Sequence, residues 1–87
     1  MTILNNGTIT LTLADTAYQI PSSAHASRKQ VIINNTARYP IHIGGSNLTT
    51  SNGIIIQPFE QLKLNSSEGV YALCETAAED ISYIELG

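Results

Sequence analysis

Cysteine occurs once in this chain of 87 residues, tryptophan not at all, and only 13% of the residues are charged. The single cysteine, Cys74, excludes a disulfide within the chain. The soft metal ligands are His25, His42 and Cys74, and none is spaced for a shared site, so no metal or other cofactor is expected. Arg28, Lys29, Arg38 and Lys63 are the whole basic complement, against seven acidic residues, for a net charge of −3. That is too little positive surface to follow a phosphate backbone, and nucleic acid is not an expected partner. The opening "MTILNNGTIT" has neither a basic n-region nor an apolar core. No apolar run approaches membrane-spanning length, so no membrane partner is expected either. The Asn-x-Ser/Thr triplets at Asn6, Asn34, Asn47 and Asn65 are accordingly read as turn chemistry rather than glycosylation sites.

What is present is a period of two. "TITLTL" sets Ile9, Leu11 and Leu13 against Thr8, Thr10 and Thr12, the pattern of a half-buried strand. "PIHIG" and "EQLKLN" alternate in the same way. "KQVIIN" and "GIII" are continuous apolar runs, read as strands covered on both faces or lying at a subunit contact. "GVYALCE" and "DISYIELG" supply the last two strands. In the last, Ile81 and Tyr83 share one face and Ile84 and Leu86 the other. That phase switch predicts a β-bulge, a terminal strand at a subunit interface, or a strand in the sandwich centre. Turn residues separate these runs at intervals of about 8–12 residues, which marks an antiparallel sandwich or barrel. "CETAAED" is too short for a useful helix and reads as a hairpin tip. The expected fold is all-β, a small antiparallel β-sandwich of jelly-roll type with seven or eight strands. Its expected layout is an N-terminal arm over residues 1–7 and one β-sandwich domain over residues 8–87.

Catalytic patterns are missing from this framework. Cupin-type metal chemistry needs two histidines one residue apart and a later third, whereas "IHI" offers His42 alone. Cys74 alternates with Val70 and Ala72 as a packed thiol would. No serine sits in a Gly-x-Ser-x-Gly elbow, and Glu75, Glu79 and Asp80 cluster at a predicted solvated tip rather than in a cleft. "IHIGGSNLTTSNGIII" has the glycines of a phosphate loop but returns to strand without a helix. Its residues suit two linked turns instead, with Gly44-Gly45 placed for positive φ and Asn52-Gly53 for a hairpin. No enzyme activity is expected.

"YPIHIGGSNLTTSNGIIIQPFEQLKL", then "GVYALCE" and "ISYIELG", together resemble the small capsid decoration and head-fibre-base proteins of tailed bacteriophages. These share a run of the form (I/V)-x-(I/V)-G-G-S-x-(V/L)-T-x-x-N-G-(I/L)-x-L, a Pro-Gly-Glu turn, a strand with "YA" and a short last strand. The likeness covers roughly residues 28 to 87, and "TITLTLADTAYQIPSS" corresponds only loosely to the opening strands. One departure is Pro58-Phe59-Glu60, which puts an aromatic where the family more often has glycine. The resemblance implies a structural virion protein, a cement protein on the outside of an icosahedral head, made in the host cytoplasm. It implies the major capsid protein and a second and third copy of the chain, as a homotrimer, for partners. Low charge and a small core fit that role, because a chain this short gains stability from partners. The expected partner-binding residues are Ile3, Leu4, Arg28, Lys29, Tyr39 and Phe59. Two other readings compete: a host-facing glycan- or receptor-binding module of a phage fibre or tail, and a β-sandwich oligomer with no viral role.

Overall fold

The computed structural model describes residues 2–21, 23–76 and 78–87. Among them are eight strands and no helix: β1 (Ile3–Leu11), β2 (Tyr18–Ile20), β3 (Gln30–Asn34), β4 (Ile41–Gly44), β5 (Ile54–Ile56), β6 (Gln61–Leu64), β7 (Val70–Cys74) and β8 (Glu79–Leu86). They form two four-stranded antiparallel sheets, ordered β1-β8-β3-β6 and β2-β7-β4-β5. The chain changes sheet at every connection except β4–β5, which is a true hairpin. The expected hairpin tip after Cys74 is therefore a crossing from β7 in one sheet to β8 in the other, and Ala77 of that segment lies outside the described residues.

The core is the set of inward positions that period two predicts. Leu11, Val31, Ile33 and Ile81 from the first sheet meet Ile20, Ile41, Ile43, Ile56, Val70, Ala72 and Cys74 from the second, all buried. Each such side chain removed from water is worth about 1.5–3 kcal/mol, which is what holds the layers together. Leu13 falls outside this pattern because β1 ends at Leu11, and its side chain is exposed.

Of the expected arm over residues 1–7, the described residues 2–7 are joined to the sheet, and Met1 lies outside the described residues. β1 begins at Ile3, and Gly7 to Leu11 pair residue by residue with Tyr83 to Glu79 of β8. Thr2 and Gly87 exchange both backbone hydrogen bonds, at 2.8 and 2.9 Å. Asn5-Asn6-Gly7 reads as a turn from composition but lies inside the strand, and Gly7 has a steric reason to be there. A Cβ at Gly7 would stand 3.0 Å from the hydroxyl of Tyr83, whose ring lies across it. The register shift falls in β1, between Ile3 and Asn5, and not in β8. β8 is an interior strand between β1 and β3. Its phase switch arises because Glu85 occupies the next inward position after Ile81 and Tyr83, while Ile84 and Leu86 point outward.

The β4–β5 hairpin loop is closed by its own side chains. Asn52 accepts from the Thr49 amide at 2.8 Å and donates to the Asn47 carbonyl at 3.2 Å. Leu48 folds back and is buried against Gly44 and Gly53. Of the glycines only Gly53 has positive φ, at 85°, so the expectation of that conformation at Gly44-Gly45 is corrected. A Cβ at Gly53 would lie 2.6 Å from the Ile43 carbonyl oxygen, so no other residue fits without movement.

Candidate functional site

β5 and β6 are the outer strands of their two sheets and are joined by the short segment Gln57–Glu60, so they form one side of the sandwich. Along this side the usual distribution of residues is inverted. Ile54 is 53% exposed, Ile55 52% and Phe59 81%. The backbone explains how Phe59 is held. The Glu60 amide donates to the Gln57 carbonyl at 3.0 Å, with Pro58 and Phe59 at the corners and φ of 67° at Phe59. That is the arrangement of a type II turn, whose second corner favours glycine. Phenylalanine there carries a conformational cost of about 1 kcal/mol or more. Glu60 strengthens the turn by accepting from the Gln57 amide at 2.7 Å.

Asn35, fully buried, fixes this turn to the β3–β4 loop. Its amide donates to the Glu60 carbonyl at 2.9 Å, and its carbonyl accepts from the Phe59 amide at 2.6 Å. Its side-chain nitrogen donates to the Tyr39 and Ile56 carbonyls at 2.9 and 3.0 Å, and its side-chain oxygen accepts from the Ala37 amide at 2.9 Å. One asparagine thereby places Tyr39, 46% exposed, and Phe59 at the same end of the molecule. The Phe59 side chain is mostly uncovered by its own domain, so burial within the chain offsets little of the strain.

The other expected partner residues lie at the opposite end. Ile3 pairs with Leu86 and is exposed, Lys29 is exposed with its amide bonded to the Leu86 carbonyl, and Leu4 is half-buried against Gly87. Arg28 is removed from the set. It is 1% exposed, and its Nη1 lies 3.2 Å from the equally buried Glu85 carboxylate. Its Nε donates to the Ser66 carbonyl at 3.0 Å and its Nη2 to the Glu68 carbonyl. Glu85 is completed by the His25 amide at 2.9 Å and the Asn5 side chain at 3.2 Å. With every polar atom near it partnered, this pair has nothing left to offer a binding partner. The six residues thus divide into an aromatic end, an end with Ile3, Leu4 and Lys29, and one internal ion pair.

Two clefts flank the exposed side. The larger, about 270 Å³, opens between the sheets at the end away from Phe59 and is lined by Ile43, Ile54, Leu64 and Val70 with Asn65, Ser66 and three glycines. The smaller, about 180 Å³, is lined by Ile32, Ile84 and Tyr83 with Asn34, Gln61 and Ser82. No group of three or more metal-ligating side chains comes together among the described residues. His42 is buried and stands 3.6 Å from the exposed carboxylate of Glu75, and its Nδ1 has no hydrogen-bond partner among the described residues. Burial pushes the Cys74 thiol above its usual range, opposed by a backbone hydrogen bond and aided by the carboxylates of Glu79 and Asp15. That thiol is packed in the core and suits neither a nucleophile nor a ligand.

Sequence reasoning missed Asn35 and left Ile54 and Ile55 open between a strand covered on both faces and a subunit contact. An asparagine just after a strand reads as turn chemistry, and only the position of β5 in its sheet decides whether its isoleucines are covered. Comparison with protein-family models, curated proteins and solved structures found no match. The geometry defines a candidate site: an exposed apolar edge of a small β-sandwich, with Ile54, Ile55 and Phe59 uncovered.

Proposed function

We propose that the protein is a capsid decoration protein of a tailed bacteriophage, bound as a homotrimer to the major capsid protein on the outside of the head. The observation that carries this reading is the turn at Pro58-Phe59-Glu60. Phe59 occupies the left-handed corner at the place where the resembled family carries glycine, so the backbone grammar of the motif is kept while its side chain is changed. The strand order β1-β8-β3-β6 and β2-β7-β4-β5, with one hairpin and six crossings, supports a jelly-roll reading of the sandwich, in keeping with the same family. A weakly charged domain with exposed apolar residues along one side suits attachment to a protein surface. Binding that engages only the assembled shell stabilises it by mass action and opposes rupture.

The test is addition of purified protein to mature heads that lack it. Saturable binding, absent with free capsid subunits, and a higher temperature of genome release are expected. Heads that ignore the protein would end this reading. A second reading, a glycan-binding module, is favoured by one observation, the convergence of Tyr39 and Phe59 at one end, since sugar rings stack on exposed aromatics. Glycan-array binding abolished by Tyr39→Ala would support it over the first.

A further inference from the structure

We infer that Phe59 of one copy seats in the cleft between Ile54 and Leu64 of a second copy, and that this knob-in-hole contact is how the chain associates with itself. The inference stands on the chain alone and does not depend on what larger assembly the protein joins. Knob and hole lie on the same side of the sandwich at opposite ends. Phe59 is in the turn after Ile56 and before Gln61, whereas the cleft opens beside Ile54 and Leu64, the far ends of β5 and β6. About 10 Å of strand separates them, so the ring cannot reach the cleft of its own chain.

Size and chemistry match. An enclosed aliphatic cavity of about 150 Å³ accepts benzene, and this open cleft of about 270 Å³, lined by Ile43, Ile54, Leu64 and Val70 together with Asn65 and Ser66, has room for a phenyl ring. No charged side chain lines the cleft. The other cleft is the poorer receptor because it is smaller, about 180 Å³, and carries three polar side chains, Asn34, Gln61 and Ser82, against Asn65 and Ser66 in the larger one. The contact also accounts for two features left unexplained by the single chain: an aromatic held at positive φ in solvent, and the unpaired edge of β5 with Ile54 and Ile55 uncovered. An exposed apolar edge strand is a liability unless something covers it, and a second copy brings the matching knob. Different patches meet in this contact, so it is heterologous and closes as a ring when each β5–β6 side faces a common axis.

Mixed-cysteine cross-linking tests the contact. Phe59→Cys protein is mixed with Gly45→Cys protein and oxidised. A side chain at Gly45 meets only Asn47 Oδ1, at 3.5 Å, so this variant is tolerated. Cys74 is buried and held protonated, which keeps it out of the exchange. The expected product is the disulfide between the two variants, far above the yield from Phe59→Cys mixed with Thr8→Cys, a site on the opposite edge strand. Ile54→Glu placed in the Gly45→Cys chain should abolish that product while the chain keeps its melting transition. Equal yields from the two mixtures, or a product that survives Ile54→Glu, would overturn the inference.

Discussion

Arg28 and Phe59 break the usual partition of residues in opposite directions. One is a charge inside the domain, the other a large hydrophobe outside it. The charge is fully answered within the chain: Glu85 pairs with it, the Ser66 and Glu68 carbonyls accept from it, and His25 and Asn5 complete Glu85. The hydrophobe is not answered at all, and its backbone is strained as well. An inversion resolved internally belongs to the fold, while one left open leaves apolar surface uncovered. That is why an arginine expected to bind a partner becomes a structural residue and Phe59 becomes the centre of the candidate site.

Breaking the resolved inversion should have the largest effect. Glu85→Ala leaves a buried guanidinium without its counter-charge and should cost about 3–5 kcal/mol, a large part of the stability of so small a domain. Replacing both partners, Arg28→Met with Glu85→Leu, should recover most of that loss. Urea titrations of the three proteins measure both steps. If the double variant is no more stable than Glu85→Ala, the pair's individual hydrogen bonds matter more than its charge.

Asn35→Ala comes next. It strands the Tyr39 and Ile56 carbonyls and the Ala37 amide, for about 2–3 kcal/mol, while the backbone bonds from residue 35 to Phe59 and Glu60 are kept. Thermal melting reads the loss, and faster amide exchange at Ala37 reads the loosened β3–β4 loop. Gly53→Ala should cost about 1–3 kcal/mol through positive φ and the close Ile43 carbonyl, again by melting. Smaller still is a dependence on alkali. The folded protein holds Cys74 above the ordinary thiol value of 9.0, so its contribution is complete below that pH and is lost as the pH rises through the folded value. Stability measured from pH 8 upward should decline less steeply in Cys74→Ala than in the parent chain.

The sequence made the fold class legible because each inward position from Ile9 to Ile81 is apolar at period two, and no stretch supports a helix. It concealed β2, which has only three residues and one inward core isoleucine, Ile20. It concealed the true start of β1, because asparagine and glycine disfavour strands in isolation while pairing with β8 overrides that preference. The role of Arg28 was illegible for a different reason. Its partner lies 57 residues away, and nothing local marks a basic residue as buried. Phe59 was legible because an aromatic in a glycine's place is a local anomaly. The exposure of Ile54 and Ile55 was not, since three isoleucines in a row read the same in an interior strand and in an edge.

The most direct test of the account is Phe59→Gly, measured for mass in solution and for melting temperature together. Glycine relieves the strained corner, and the phenyl ring makes no contribution to its own core, so the melting temperature at a concentration where both proteins are single chains should hold or rise. At higher concentration the parent chain should show the mass of an oligomer and the variant that of one chain. An oligomer of unchanged mass, or a variant that melts well below the parent, would contradict the account, because Phe59 would then serve the fold and not a second copy.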